Sequence, residues 1–314
     1  MRRLRILTWQ VHGNYLYYLT HAPHEFFVLS KPGQPPGYAG RAGTLPWGDN
    51  VHDCPVASLG RQSFDCVLFQ SRAHYEHDRH EILTEAQRRL PRIYLEHDPP
   101  LQHPTNNVHP VDDPSVVIVH VTHYNALMWD CGNVPTRVVE HGVRVPDDIE
   151  WSGELPRGVA VINHLERRGR RLGADVFAAW RRAVPLDLYG MDAPASGGLC
   201  ELPYADLLPA VARHRFFAHP VRYTSLALAL CEAMMLGLPV VGLATTELPR
   251  IIRDSGAGYV DTELARLVDV SRELIRDRGR AQELGRKART YARERFAIGR
   301  FASDWDAVFR EATA

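Results

Sequence analysis

The sequence has no surplus of charge of either sign, since 37 Lys and Arg meet 37 Asp and Glu over 314 residues. A balanced chain has no bulk attraction to polyphosphate, so no nucleic-acid partner is expected. No stretch approaches the roughly 18 consecutive apolar residues of a membrane-spanning helix. The opening MRRLRILTW is basic and then apolar, but its apolar part is too short for a secretory signal and lacks a small-residue cleavage site. Cys54, Cys66, Cys131, Cys200 and Cys231 are scattered, odd in number and form no CxxC. That pattern speaks against a disulfide frame or a structural zinc site and points to reduced thiols in a cytoplasm. A GxGxxG fingerprint and a Walker A loop are both missing, which removes the common dinucleotide and NTP signatures.

What is present is the composition of an ordinary globular protein, 45% hydrophobic and 24% charged. The length predicts two domains, each able to bury its own core. Short apolar runs alternate with helical patterns along the whole chain. Strands are expected at residues 4–9, 64–70, 92–95, 116–121 and 136–140. Between them lie a turn at residues 12–14 with a helix opening at 15–19, a Gly- and Pro-rich loop at 31–62, a polar helix at 75–90 and a helix from about Tyr124. Residues 146–158 (PDDIEWSGELPRG) lack periodicity and read as a linker. Beyond it strands are expected at 159–163, 186–189 and 215–218, with helices at 174–182 and 206–212 and a charged helical tail from Glu263. This alternation predicts two parallel-sheet α/β domains, in which ligands gather at the C-terminal strand ends.

Residues 220–241 (PVRYTSLALALCEAMMLGLPVV) stand out. An apolar helical run at 226–236 contains one carboxylate, Glu232, before Gly237 and Pro239 end the helix. Either Glu232 faces a cleft or a partner, or it lies on the polar edge of an amphipathic helix. Ahead of it, Arg167, Arg168, Arg170 and Arg171 form a basic loop after a strand, with guanidinium donors that match phosphate oxygens. The free N–H groups near Ser225, Leu226 and Ala227 favour an anion. A carboxylate about two turns further suits paired hydroxyls such as those of a ribose. Together these three features suit a nucleoside diphosphate held in a cleft. His97, flanked by Glu96 and Asp98 at a strand end, is placed either for chemistry or as loop decoration. His74, His77 and His80 recur every third residue. With no acidic or Cys partner at a firm spacing, a solvated helix face is the preferred reading over a metal site. The Arg-rich stretch 272–300 is interleaved with Glu and Asp. It likewise reads as a solvated face, with peripheral membrane contact left open.

The 220–241 segment resembles the signature of the retaining GT-B glycosyltransferases of family four. Pro220 takes the family's Pro position, Thr224 its first Glu and Glu232 its second, with seven residues between them. Ala233-Met234, Gly237 and Pro239-Val240-Val241 follow in register, and LPRII at 248–252 resembles the family's Leu-Pro-Glu-Ile-Ile. The resemblance extends to VVEHGV at 138–143, to the closing ARERFAIGRFASDW at 292–305 and to LEHD at 95–98. It implies a GT-B fold: an acceptor-side Rossmann-like domain over 1–148 and a nucleotide-sugar domain over 149–314, facing a cleft. The final helix, from about 292, would pack back on the first domain. It also implies roles. Glu232 would hold the ribose, the amides of 225–227 would face the diphosphate, and Arg168 and Arg171 would neutralise it. His97 would lie beside the reacting sugar. Gly13 would let backbone approach the phosphates or the acceptor. The implied activity is metal-independent hexosyl transfer, with retention, from a nucleotide diphosphate sugar to a hydroxyl of a glycan, lipid or small molecule. No cofactor beyond the donor is implied.

Three departures stand against the pattern. Thr224 replaces a Glu that contacts the donor hexose in the family, Thr245-Thr246 replaces a Gly-Gly pair, and His12-Gly13-Asn14 replaces a Gly-Gly turn. Because of Thr224, a non-catalytic nucleotide-sugar or glycan binding protein on the same frame is the second expectation. A phosphorylase would want a cofactor-binding Lys, for which the sequence offers no candidate.

Overall fold

The computed structural model describes every residue except Met1, His12, Ala42 and Thr44. The first position of the turn expected at 12–14 therefore lies outside the described residues. The chain forms two compact units, one of Met1–Gly142 with Ile298–Ala314, the other of Val143–Ala297.

The first unit is built on a seven-stranded sheet: β1 (Arg5–Thr8), β2 (Glu25–Ser30), β3 (Val51–Pro55), β4 (Cys66–Phe69), β5 (Arg92–Glu96), β6 (Val116–His120) and β7 (Thr136–Val138). All pairings are parallel, in the order β3-β2-β1-β4-β5-β6-β7. The central strands are apolar on both faces, as a covered parallel sheet requires, and every residue of β4 is buried. The edge strands differ. Among the described residues β3 pairs only with β2, and it ends on Pro55, which an edge tolerates because its missing N–H faces no partner. This strand corrects the expectation of loop throughout 31–62: its sequence, VHDCP, is not an apolar run, and pairing to the apolar β2 decides its conformation.

The continuous polar helix expected at 75–90 is also corrected. A π-helical turn at His74–Asp78 runs into a short helix at Arg79–Ile82, and a second helix begins at Glu85. Thr84 causes the break. Its side chain accepts from the Gln87 N–H while the Gln87 side chain accepts from the Thr84 N–H, a capping box that can only begin a helix. His74 is buried and stacks on Trp9 with ring centroids 4.7 Å apart, so the three histidines do not share a solvated face. Among the described residues no group of three or more His, Cys, Asp or Glu is placed to hold a metal, and no helix is long and apolar enough to cross a membrane.

The helix Ile298–Ala312 completes the first unit. Phe301, Trp305, Val308 and Phe309 form its buried stripe. The indole of Trp305 donates to the Tyr15 hydroxyl at 3.2 Å, and Arg300 donates to the carbonyls of Glu140 and His141 at 2.8 and 2.6 Å. At Gly142 the chain passes close under this helix: a Cβ there would lie 2.2 Å from Cβ of Phe301.

The second unit holds β8 (Leu155–Val161), β9 (Leu186–Tyr189), β10 (His214–His219), β11 (Val240–Leu243) and β12 (Gly258–Asp261), all parallel, in the order β12-β11-β10-β8-β9. β8 starts inside the stretch expected as linker, because its first residues pair with β10 from Leu155 onward. The basic segment is not an open loop but a helical turn, Leu165–Arg168, followed by a 3-10 turn, Gly169–Leu172. Its Leu165 and Leu172 are core residues and pull it down onto the unit.

Burial holds three histidines neutral: His74, His120 and His219 are each pushed down to about 4. Below the ordinary imidazole value of about 6.5 the unfolded chain takes up protons there that the folded chain refuses. The stability they contribute is full above that value and is lost as pH falls toward 4. The melting temperature is therefore expected to drop steadily between pH 6.5 and 4.5 while changing little between pH 7 and 8. A flat acid limb in scanning calorimetry would contradict the burial of these rings.

Candidate functional site

Parallel sheets place ligands where the strand order reverses, because the helices leave that point to opposite faces and open a crevice. In the second unit the reversal falls between β8 and β10. Three loops meet at the C-terminal ends of β8, β10 and β11, and hydrogen bonds from backbone and side chains stitch them together. The Arg171 carbonyl accepts from both the Arg222 and the Tyr223 N–H at 3.1 Å. The Thr245 hydroxyl donates to the Val221 carbonyl at 2.8 Å. Arg222 donates to the Arg170 carbonyl at 2.9 Å and grips the Asp175 carboxylate. Gly173 lies with φ of 81°, and a Cβ there would stand 1.9 Å from the Pro220 carbonyl oxygen. Only glycine allows that approach.

Backbone conformations uncommon for side-chain-bearing residues collect at the C-terminal ends of this sheet's strands. Among the described residues four non-glycine residues have positive φ, and three of them, His164, Asp192 and Thr246, follow β8, β9 and β11. Such conformations cost energy and tend to gather at functional sites.

The 220–241 segment runs through this junction. The helix spans Leu228–Leu236, two residues later than expected, and Ala227 caps it in extended conformation. The backbone of 225–227 therefore leads into the helix rather than forming its first turn. Ser225 and Leu226 are buried, while Thr224 and Ala227 are half-buried. Glu232 is 3% exposed, among Leu230, Cys231, Ala233 and Met234. That excludes the polar-edge reading, since the helix has no solvated edge at that position. Of the four arginines in the basic turn, Arg168 and Arg171 are half-buried while Arg167 and Arg170 are exposed. Arg170 is engaged with Asp175 at 2.5 Å.

In the first unit the strand order reverses between β1 and β4. Gly13 opens the helix Gly13–Leu19 directly after β1, and His97 follows β5. The Gln70 side chain, one residue past β4, donates through Nε2 to the Thr8 hydroxyl at 2.9 Å and the Trp9 carbonyl at 2.6 Å. A carbonyl can only accept, so this fixes the amide and leaves Gln70 Oε1 facing His97 Nε2 at 3.2 Å. His97 Nε2 therefore carries the proton. The Tyr15 ring meets the imidazole edge-on, with centroids 4.9 Å apart. The same Tyr15 ring meets His141 and Phe301 edge-on, at 5.5 and 5.6 Å. The sequence-derived residues thus fall in two groups: Gly13 and His97 at the first unit's reversal, and Arg168, Arg171, 224–227 and Glu232 at the second's.

Gln70, Tyr15 and Arg222 were not anticipated. A signal existed for Gln70. β1 ends on Thr8, β5 on Glu96 and β6 on His120, and Gln70 follows β4, each a polar residue closing an apolar run. Nothing in the sequence marks Tyr15 or Arg222.

The two sheets, with their parallel order and reversal points, are the GT-B arrangement of the glycosyltransferases. Sucrose-phosphate synthase from Thermosynechococcus elongatus is similar to this chain over 98% of its length and 99% of that protein, with TM-score 0.68 and 13% identity. HepE of Anabaena, solved with UDP, matches over 99% of this chain and 100% of that one, with TM-score 0.68 and 13% identity. A glycosyltransferase from Rickettsia africae matches over 99% of both chains, with TM-score 0.68 and 11% identity. No curated protein sequence matches. Residues 198–277, which contain the junction from Pro220 to Thr246, match the family model described as glycosyl transferases group 1. Over these residues the chain is similar to the group 1 glycosyltransferases, and over its whole length it has the GT-B fold.

Replacing Gly173 with Ala is expected to destabilise the second unit by about 1–3 kcal/mol or more, since it adds a backbone clash to an unfavourable φ. Urea unfolding measures this. A change within about 0.5 kcal/mol would mean that the turn and the Pro220 loop are not in the contact described.

Proposed function

We propose that the chain is a retaining hexosyltransferase, moving a hexose from a nucleotide diphosphate sugar to a hydroxyl acceptor without a metal. The observation that carries this reading is the buried Glu232 beside a hydrogen-bonded junction of three loops at the second unit's reversal point, within the residues that match the group 1 family. In this reading Glu232 accepts hydrogen bonds from the ribose hydroxyls. The amides of Ser225, Leu226 and Ala227 face the diphosphate. Arg168 and Arg171 neutralise the charge that grows on it as the sugar–phosphate bond breaks, by fixed electrostatic stabilisation. His97 contacts the hexose, and Gly13 keeps backbone near the phosphates or acceptor. The leaving phosphate oxygen takes the proton of the incoming hydroxyl on the face it departs from, so the anomeric configuration is kept without a protein nucleophile. The acceptor is a glycan, lipid or small molecule, and the setting is cytoplasmic, with peripheral membrane contact compatible.

Thr224 favours a second reading, a nucleotide-sugar or glycan binding protein on the same frame. It is half-buried where the resemblance implies a Glu for the hexose. Slow hydrolysis of donor in the absence of acceptor separates the two, since an enzyme leaks some product and a binder none.

UDP is the first nucleotide to test, because the HepE structure holds it. Glu232→Gln is expected to weaken UDP binding about 10- to 100-fold in calorimetry, the worth of hydrogen bonds to a charged acceptor. Arg168→Ala and Arg171→Ala are expected to weaken UDP far more than uridine. Unchanged affinity in Glu232→Gln for every nucleotide the intact protein binds would remove the ribose role. Equal losses for UDP and uridine would remove the phosphate role.

A further inference from the structure

We propose that Glu96 is the positioning residue of His97, a carboxylate clasp that closes the loop after β5 and fixes the backbone carrying the imidazole. Its Oε1 accepts the Asp98 N–H at 3.0 Å, one residue beyond His97. Its Oε2 accepts from His109 Nε2 at 3.2 Å. The His109 tautomer is set from the other side: Nδ1 accepts the Val111 N–H at 3.1 Å, so Nε2 must bear the proton that Glu96 receives. The clasp thus joins the two ends of a segment whose middle, 101–106, is exposed. His109 is 2% exposed and meets the rings of Tyr94 and Trp129 edge-on at 5.0 Å each, so the far anchor is rigid. The Trp129 indole donates to the Asp98 carbonyl at 2.9 Å, holding the same turn from outside.

A carboxylate suits this position for a definite reason. Both groups that face Glu96 are donors, and a carboxylate accepts twice. An amide of the same shape accepts once and turns its NH2 group toward the remaining donor. Burial pushes the Glu96 carboxyl up, while the hydrogen bonds from His109 and Asp98 pull it back toward the charged form. Such a group is costly to bury and its position at a strand end beside His97 gives that cost a purpose. His97 itself is held at its ring by Gln70 and Tyr15, and Glu96 sets the main chain from which that ring projects.

The consequence for turnover rests on the hexose-contacting role of His97 proposed above; the positioning itself does not. Two readouts keep them apart. With histidine labelled in 15N, and the His97 signals assigned through His97→Gln, the His97 ring resonances in the unliganded protein are expected to move or broaden in Glu96→Gln, with Glu96→Ala as the harsher variant. The melting shift produced by UDP is expected to stay as in the unaltered protein. In turnover of UDP-glucose, kcat is expected to fall about tenfold in Glu96→Gln with KM within twofold. Glu96→Gln combined with His97→Ala is expected to be no slower than His97→Ala alone. His97 ring signals unchanged in a folded Glu96→Gln protein would overturn the proposal, as would multiplicative losses in the double variant. His97→Ala with undiminished turnover would instead remove the role of His97 and leave the ring measurement to decide on Glu96.

Discussion

Parallel strand pairing is the constraint on which the other features depend. Each crossover must carry the chain back to the same edge, so in each unit every strand delivers its last residue to one side. A polar residue that ends an apolar run is therefore brought beside the polar residues ending its neighbours, however far apart they lie in sequence. Thr8, Gln70 and His97 meet in this way across 89 positions of the first unit. The turn after β8, the loop after β10 and the loop after β11 meet so in the second. The strand order then selects one place along each edge where departing helices part.

Within that frame the two units solve the placing of polar groups differently. The first uses side chains: Gln70 orients a ring, Glu96 closes a loop, and Tyr15 contacts the histidines after β5 and β7 and a helix from the far end of the chain. The second uses backbone, through the doubly used Arg171 carbonyl and the close approach of Gly173 to Pro220. A backbone junction leaves its side chains at liberty to differ without loss of the loop's shape. That is compatible with Thr224 standing where the resembling family has another residue, whereas Thr245 takes part through its own hydroxyl, which donates to the Val221 carbonyl.

Much of this was legible in the sequence. Alternating runs with apolar strands announce two parallel α/β sheets, and the spacing around Glu232 marks the junction loop. What was not legible has physical causes. β3 forms on an edge, where pairing with β2 rather than its own composition decides, so VHDCP passed for loop. The break at Leu83-Thr84 is a capping box hidden inside a polar stretch that otherwise fits a helix. The basic segment reads as an exposed loop until Leu165 and Leu172 are seen in the core, and that depends on contacts with distant strands. The contacts of Tyr15 reach 290 positions along the chain, beyond any local pattern.

The second unit is one uninterrupted stretch of chain whose two ends lie side by side: the Val143 N–H donates to the Phe296 carbonyl at 2.9 Å, and Val143 bridges to Ala297. The first unit is split around it, and its closing helix starts only at Ile298. Domains fold as units, in the order in which synthesis releases them. On the ribosome, therefore, the first unit's sheet emerges first yet must wait, with the partners of Phe301 and Trp305 uncovered, while the whole of the second unit is made. The later-made unit is the one equipped to finish first, and the first unit's sheet acquires the packing of Phe301 and Trp305 only after the second unit has been made.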